Sequence, residues 1–405
     1  MTDKVLQGSN EGLLDPIVSP EAIAAAEVAE SASGRLLSLD ALRGFDMFWI
    51  VGAEELVHSL NKVSTNGVTG FLSTQLSHVE WDGFHFYDLI FPLFVFMSGV
   101  SITFSLDKIV EHEGRGAALG RVFRRFLLLF ALGIMYSGGL SRLFPEIRVL
   151  GVLQRIATSY FFASLLYLYL PRRGLVAAFI ALMLGYWAFL TFVPVPPVPE
   201  LTAVNPAWGL GGTGTAMGNN WANYIDYHYL IGRRYDTYWD PEGILSILPA
   251  IGSALLGVFA GLLVRNKEIS AAKKAIYLIL AGSALVVVGT LWGYQFPVIK
   301  KIWTSTFVLV AGGYSCILLG AFMMVIDVWG FKKWTTPFVW IGCNALAIYL
   351  GGRFIDFEYI AEFFVGGSVK LAAGIYGDLL VTVVTMTLLF IFARFLYKRQ
   401  IFLRL

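Results

Sequence analysis

The sequence predicts an all-α, polytopic transmembrane helix bundle of about ten spans, with eleven as the alternative, and with both termini cytoplasmic. Three observations carry this reading. Hydrophobic residues make up 57% of the 405 residues and charged ones 14%, with a mean hydropathy of +0.68; soluble globular domains run at about 45–50% apolar and about 25% charged. Apolar runs of about 17 to 25 residues, the length that crosses a bilayer as a helix, recur down the whole chain. Of the 30 lysines and arginines, 20 fall on one set of loops and 9 on the other, with Arg155 inside a span. The richer side is read as cytoplasmic, because cytoplasmic loops carry the excess of Lys and Arg.

The same composition excludes several functions. A net charge of +2 is distributed by topology and predicts no nucleic-acid partner. Cys316 and Cys343 both fall inside expected spans, so neither a disulfide framework nor a thiolate zinc site is supported. The five histidines show no H-x-x-H or H-E-x-x-H spacing, and no metal is expected.

Residues 1–37 read as a polar cytoplasmic tail, since an alanine-rich stretch with Glu21, Glu27 and Glu30 lacks the basic and apolar regions of a signal peptide. Residues 38–405 form the membrane domain. Its spans are expected at about 44–60, 84–106, 122–140, 149–170, 174–193, 243–264, 273–294, 303–327, 335–352 and 376–396. The piece from Phe354 to Tyr376 is apolar but broken by Gly366 and Gly367, and reads as re-entrant, interfacial or an eleventh short span. An outer loop at about 194–242 is rich in Pro, Gly, Asn, Trp and Tyr. It suits a sugar-contacting lid or an interfacial aromatic belt with a glycine linker. No internal repeat is visible, which leans away from a transporter.

The stretch from Ser77 to Gly99 carries the best candidate chemistry. His78 lies in a loop, and Asp88, ten residues on, lies already inside an apolar run. A carboxylate there costs roughly 2.5 to 3.5 kcal/mol on insertion scales unless it is paired or faces water. Gln154 and Arg155, Glu54 and Asn344 fall at a similar depth in the outer halves of their spans, with Asp240 and Glu242 at the outer mouth of another. Each has a structural alternative: Arg155 as the counter-ion of Asp88 or Glu54, Asn344 as a helix-to-helix hydrogen bond, Asp240 as a helix N-cap followed by Pro241.

These pieces resemble the transmembrane N-acetyltransferases typified by heparan-alpha-glucosaminide N-acetyltransferase. The matching motifs are S-L-D-A-L-R-G (Ser38 to Gly44), H-V-E-W-D-G-F-H-F-Y-D-L-I-F-P-L-F-V-F-M-S-G (His78 to Gly99), R-V-L-G-V-L-Q-R-I (Arg148 to Ile156), Y-I-D (Tyr224 to Asp226), D-P-E-G-I-L (Asp240 to Leu245), K-I-W-T-S (Lys301 to Ser305) and G-C-N-A-L-A-I-Y (Gly342 to Tyr349). The resemblance implies acetyl transfer from cytosolic acetyl-CoA to an amino sugar or glycan on the far side of the membrane. It implies His78 and Asp88 as the catalytic pair; the polar residues that share one depth beneath His78, namely Glu54, Gln154, Arg155, Asp240, Glu242 and Asn344, are with Trp81 the expected substrate-binding set. Two positions depart from the eukaryotic pattern: Glu54 stands for an Asn, and Gly352 for a His. The large luminal domain has no counterpart here, so the heparan acceptor is not carried over.

The chemistry fits the residues independently. An amine must lose a proton to attack a thioester, and histidine suits that task near neutral pH, with a carboxylate fixing its tautomer. His78 as a nucleophile forming an acetyl-imidazole stays open beside it. The donor's phosphates need cations on the cytoplasmic side, for which Arg43, Arg124 and Arg125 are the candidates. The competing readings are a sugar O-acyltransferase using the same base, and a proton-coupled permease in which Asp88, Glu54 and Arg155 form a relay. An integral protein of a bacterial inner membrane is the expected setting, with a homodimer as one possible arrangement.

Overall fold

A computed structural model of the chain describes residues 36–202 and 215–403. The expected cytoplasmic tail, up to residue 35, and the centre of the outer loop, 203–214, lie outside the described residues. Among the described residues the regular structure is helical throughout, with isolated bridges joining Asp82 to Ile299 and Arg148 to Gly232.

The chain opens with α1 (Leu37–Phe48), which passes through a widened turn at Trp49–Ala53 into α2 (Glu54–Val63). Gly52 sits there at φ +121, a conformation glycine adopts without a Cβ penalty. The first expected span is therefore two helices meeting at a bend. A short α3 (Gly67–Gln75) leads to α4 (Phe86–Tyr136), which is interrupted at Gly114 (φ 84, ψ 171). A straight helix of 51 residues would extend about 75 Å, far more than a bilayer needs. The residues on either side of Gly114 instead share one core: Val95, Ile102 and Leu106 of the first arm pack in the same cluster as Ala118, Val122 and Leu129 of the second. The chain thus folds back at Gly114, and the expected spans at 84–106 and 122–140 are its two arms.

Next come α5 (Val152–Tyr169), α6 (Arg172–Phe192), a nine-residue α7 (Trp221–Tyr229) within the outer loop, α8 (Ile247–Arg265), α9 (Ala271–Gly293) and α10 (Ser305–Phe322). The span expected at 335–352 divides into α11 (Thr336–Gly342) and α12 (Ala345–Phe354), with Cys343 and Asn344 at the break. The doubtful piece that follows holds α13 (Phe357–Val365) and a five-residue turn of helix, each too short to cross a membrane; α14 (Gly377–Lys398) closes the fold.

Six helices among the described residues are long and apolar enough to cross a membrane: α4, α6, α8, α9, α10 with its following turn, and α14 with its preceding turn. Their burial separates two layers. The most apolar windows of α4 and α8 are 72% buried and that of α10 67%, whereas those of α6 and α9 are 22% buried and turn most of their surface outward. At the centre, α4 and α8 touch backbone to backbone. A Cβ on Gly99 would stand 1.9 Å from the Ala254 carbonyl oxygen, and one on Gly257 1.9 Å from that of Phe96. Such small-residue contacts let membrane helices gain close van der Waals packing where lipid offers no hydrophobic drive.

Candidate active site

The site forms where the loop after α3 meets the start of α4. Asp88 stands at the third position of α4, in the first turn, where the helix dipole favours a carboxylate. Its Oδ2 accepts hydrogen bonds from the backbone N–H groups of His85 (3.1 Å) and Val79 (3.3 Å), and its Oδ1 lies 2.8 Å from Nδ1 of His78. Asp88 is fully buried, while the His78 side chain is about half exposed. A tilted ring contact with Tyr87, centroid to centroid 4.7 Å, further orients the imidazole. Sequence position alone makes Asp88 costly inside a span; the helix terminus and its hydrogen bonds offset that cost.

The counter-ion of Asp88 is Lys300, not Arg155. Lys300 Nζ lies 3.3 Å from Asp88 Oδ1 and 3.0 and 3.3 Å from Nδ1 and Nε2 of His78. Burial pushes the Lys300 ammonium below its ordinary range, an effect that Asp88 opposes. The segment that carries Lys300 is tied down at both ends. Gly83 donates to the Val298 carbonyl (2.9 Å), Ile299 N–H to Thr304 Oγ1 (3.0 Å), and Thr304 Oγ1 to the Pro297 carbonyl (2.9 Å). Within it Trp303 adopts φ +51, an uncommon conformation for a bulky residue, and donates its indole N–H to Ser253 Oγ (3.1 Å).

Arg155 is buried and belongs to a second cluster. Its Nη2 donates to the carbonyls of Pro241 (3.1 Å) and Gly243 (3.3 Å) and to Ser246 Oγ, and its guanidinium lies over the Trp303 ring at 4.8 Å. Arg148 grips Asp240 through two bonds of 2.7 and 2.6 Å and also bonds Glu242. Asp240 is thus not the N-cap of α8, which begins at Ile247 behind Ser246; it is the carboxylate of a paired guanidinium. Asp226 on α7 locks the same turn, accepting from the N–H groups of Ile244 (2.9 Å) and Asp240 (3.3 Å). Burial pushes its carboxyl up to about 7, and burial likewise raises that of Glu242 against the pull of Arg148.

A cavity of about 620 Å³ connects these groups to the opposite end of the bundle. His78, Tyr87, Arg148, Glu242, Lys300 and Lys301 line one end. Along the first arm of α4 its wall runs from Tyr87 to Ser101, about 21 Å of helix, and Arg43 and Arg125 line the far end. Between them the wall is apolar, with Phe91, Phe94, Met97, Leu129 and Ile156 among its residues.

The expected site residues divide accordingly. His78, Arg43, Arg125 and Glu242 line the cavity, and Asp88 stands directly behind His78. Arg43 bonds Ser101 and Asp40, and Arg125 lies over the Tyr160 ring at 4.3 Å. Arg124 is exposed on another face of its helix. Trp81 is buried in a separate cluster with Tyr186, Trp239 and Phe296, its indole N–H donating to the Thr215 carbonyl (3.0 Å). Glu54 faces the Tyr87 hydroxyl, and Gln154 packs against Gly133. Asn344 is buried at the break between α11 and α12, with neither side-chain atom hydrogen-bonded among the described residues. Lys300, Arg148 and Tyr87 were not singled out by sequence. The only signals were their places: one residue ahead of K-I-W-T-S, at the head of R-V-L-G-V, and one before Asp88.

Comparison with known proteins identifies the family of the chain. The family described as heparan-alpha-glucosaminide N-acetyltransferase, catalytic, matches residues 35–296. The human protein named heparan-alpha-glucosaminide N-acetyltransferase is 30% identical over 68% of this chain and 48% of its own length. The mouse protein of the same name is 26% identical over 82% of this chain and 55% of its own. The chain spans about half the length of these relatives, and the region matched contains His78, Asp88, Arg148 and the acidic turn at Asp240 and Glu242. It is therefore a member of the heparan-alpha-glucosaminide N-acetyltransferase family.

Proposed function

We propose that the chain is a membrane N-acetyltransferase, moving the acetyl group of acetyl-CoA, taken from the cytoplasmic side, to the amino group of a glucosamine-like acceptor on the other. The observation that carries this reading is the cavity joining the His78–Asp88 pair at one end to Arg43 and Arg125 at the other. Paired cations suit the phosphates of the donor. The apolar stretch between suits a slender acyl-bearing arm reaching toward His78. The relatives' name supplies the reaction class and the amino-sugar acceptor.

The geometry supports the following steps. With Asp88 Oδ1 on Nδ1, the chemistry falls to the second ring nitrogen, Nε2, which has Lys300 Nζ at 3.3 Å. As the acceptor nitrogen bonds to the thioester carbon, Nε2 takes the proton that nitrogen sheds. The carbon–sulfur bond then breaks, the CoA thiolate leaves, and the imidazolium returns its proton to the sulfur. Asp88 holds the ring and balances the imidazolium. In the two-step variant Nε2 itself attacks the thioester carbon and the carbon–sulfur bond breaks, releasing CoA as the thiolate; the amine then attacks the acetyl-imidazole carbon, the bond to Nε2 breaks, and the freed Nε2 takes the proton that the amine sheds.

His78→Ala separates these routes. Losing a general base lowers turnover by about 10²- to 10⁴-fold, whereas losing a covalent nucleophile leaves nothing above background. The measurement is transfer of labelled acetyl from acetyl-CoA to a panel of amino sugars by purified protein, with donor binding scored separately. Label on an ester oxygen would favour an O-acyltransferase, and uptake into vesicles without transfer a permease. Wild-type turnover by H78A would sink the assignment.

A further inference from the structure

The steps proposed so far give Lys300, the counter-ion of Asp88, no part in the reaction itself. Lys300 Nζ stands 3.3 Å from His78 Nε2, the atom at which the acceptor or the thioester must arrive. In the two-step route the thioester carbon lies about 3 to 3.5 Å from that nitrogen; in the direct route the amine does, with the thioester carbon beside the amine. Either way its carbonyl oxygen can come within hydrogen-bond reach of the Lys300 ammonium, which lies 3.0 and 3.3 Å from the two ring nitrogens. The other cations at this end of the cavity are committed elsewhere. Lys301 pairs with Asp236 at 3.0 Å, and Arg148 is held by Asp240 and Glu242. Asp88, the partner of Lys300, already accepts from His78 and from two backbone N–H groups, so it does not depend on the ammonium for its hydrogen bonds.

We infer that Lys300 is the electrophilic member of the site, its ammonium stabilising the negative oxygen that develops when the thioester carbonyl is attacked beside His78. This rests on the acetyltransferase reading and deepens it. During the step the carbonyl oxygen gains charge as the new bond forms, and loses it when the carbon–sulfur bond breaks; Lys300 donates a hydrogen bond throughout and transfers no proton. A donor already fixed where charge develops is among the larger contributions to acyl-transfer catalysis, because it requires no reorganisation at the moment of reaction.

The groups facing Lys300 set how it titrates. Asp88 from the start of α4 favours the charged ammonium, as does Glu242 from the turn before α8. Adjacent Lys301 disfavours it, the His78 ring stands against it from the loop after α3, and burial outweighs the carboxylates. The ammonium form is the active one. Activity is therefore lost as pH rises through a value below the ordinary lysine range, giving an alkaline limb that belongs to Lys300.

The test compares Lys300→Gln and Lys300→Arg with wild type in the acetyl-transfer assay across pH, using acetyl-CoA and glucosamine and checking each variant for a monodisperse folded state. The expected result is a loss of about 10²- to 10³-fold in kcat for K300Q with KM little changed. K300R is expected to keep most of that loss restored and to lack the alkaline limb, because a guanidinium stays charged. If K300Q does not fold, the limb in K300R decides. A K300Q kcat within about threefold of wild type overturns the inference, and so does a K300R profile that keeps the wild-type limb. Either result leaves the acetyltransferase reading standing, whereas a wild-type protein that acetylates no amine overturns both.

Discussion

At the scale of single residues, the chain uses the same device twice: a carboxylate buried at a backbone turn, accepting hydrogen bonds from backbone N–H groups. Asp88 does this at the head of α4, and Asp226 does it for the turn at residues 240–244. They differ in charge environment. Asp88 has Lys300 at 3.3 Å, while burial raises Asp226 from an ordinary 3.8 to about 7. A carboxyl raised on folding binds its proton more tightly in the native than in the unfolded state, so its contribution to stability is greatest at low pH. That contribution is lost as pH rises from about 4 through about 7. Asp226→Asn cannot ionise, and should flatten that part of the stability profile while leaving the slope outside it; thermal unfolding in detergent at several pH values measures this. An unchanged slope between pH 4 and 7 in D226N would show that Asp226 is not the titrating group. Sequence made His78 and Asp88 legible because a loop histidine and an intramembrane carboxylate are each conspicuous alone. Lys300 was not, since it reaches His78 from 222 residues away, and a Lys-Lys pair in a loop reads as ordinary topology.

At the scale of elements, apolar runs announced the helices, and the charged stretch around Gly114 announced the turn between the two arms of α4, but other interruptions left no mark. Gly52 and the Cys343–Asn344 break each fall inside stretches whose hydropathy is continuous, so periodicity carries no sign of them. What the breaks do is turn simple rods into walls of a cavity: both arms of α4 line it, as do α1 and the segment around the α11–α12 break. The packing of α4 on α8 holds that wall in place, and it depends on glycines that sequence alone cannot rank. Gly99→Ala would set a Cβ 1.9 Å from the Ala254 carbonyl oxygen, forcing two backbones apart, with overpacking typically costing about 1 to 3 kcal/mol. Gly120→Ala, on the second arm of the same helix, meets nothing within 4 Å and should gain up to about 1 kcal/mol from helix propensity. Melting both variants in detergent checks the pair: G99A should lower Tm and reduce acetyl transfer, and G120A should hold or raise Tm. Equal stability of the two would mean that the close contact between α4 and α8 is not limiting.

For the whole molecule, the direction of transfer depends on which side of the membrane each end of the cavity faces. The sequence divides lysines and arginines into two sets by loop, and the cavity respects that division. Arg43 and Arg125, at one end, belong to the richer set; Arg148, Lys300 and Lys301, beside His78, belong to the poorer one. Because Lys and Arg are retained on the cytoplasmic side during insertion, the arginine end should open to the cytoplasm and the histidine end to the far side. An acetyl donor made in the cytoplasm would then enter at the arginines and present its thioester to His78, with the acceptor approaching from outside. Orientation is thus part of the mechanism, and it can be measured without any assay of activity. A cytoplasm-dependent reporter fused after Leu405, or inserted between Lys108 and Arg121 where α4 folds back at Gly114, should be active. One inserted near Asn219, just before α7, should be silent there and active only with an export-dependent reporter. A far-side C-terminus would reverse the assignment of the two cavity ends. The same outcome at all three positions would mean that the chain does not return across the membrane between Gly114 and Asn219, and the cavity between the arms of α4 would then have no route from one side to the other.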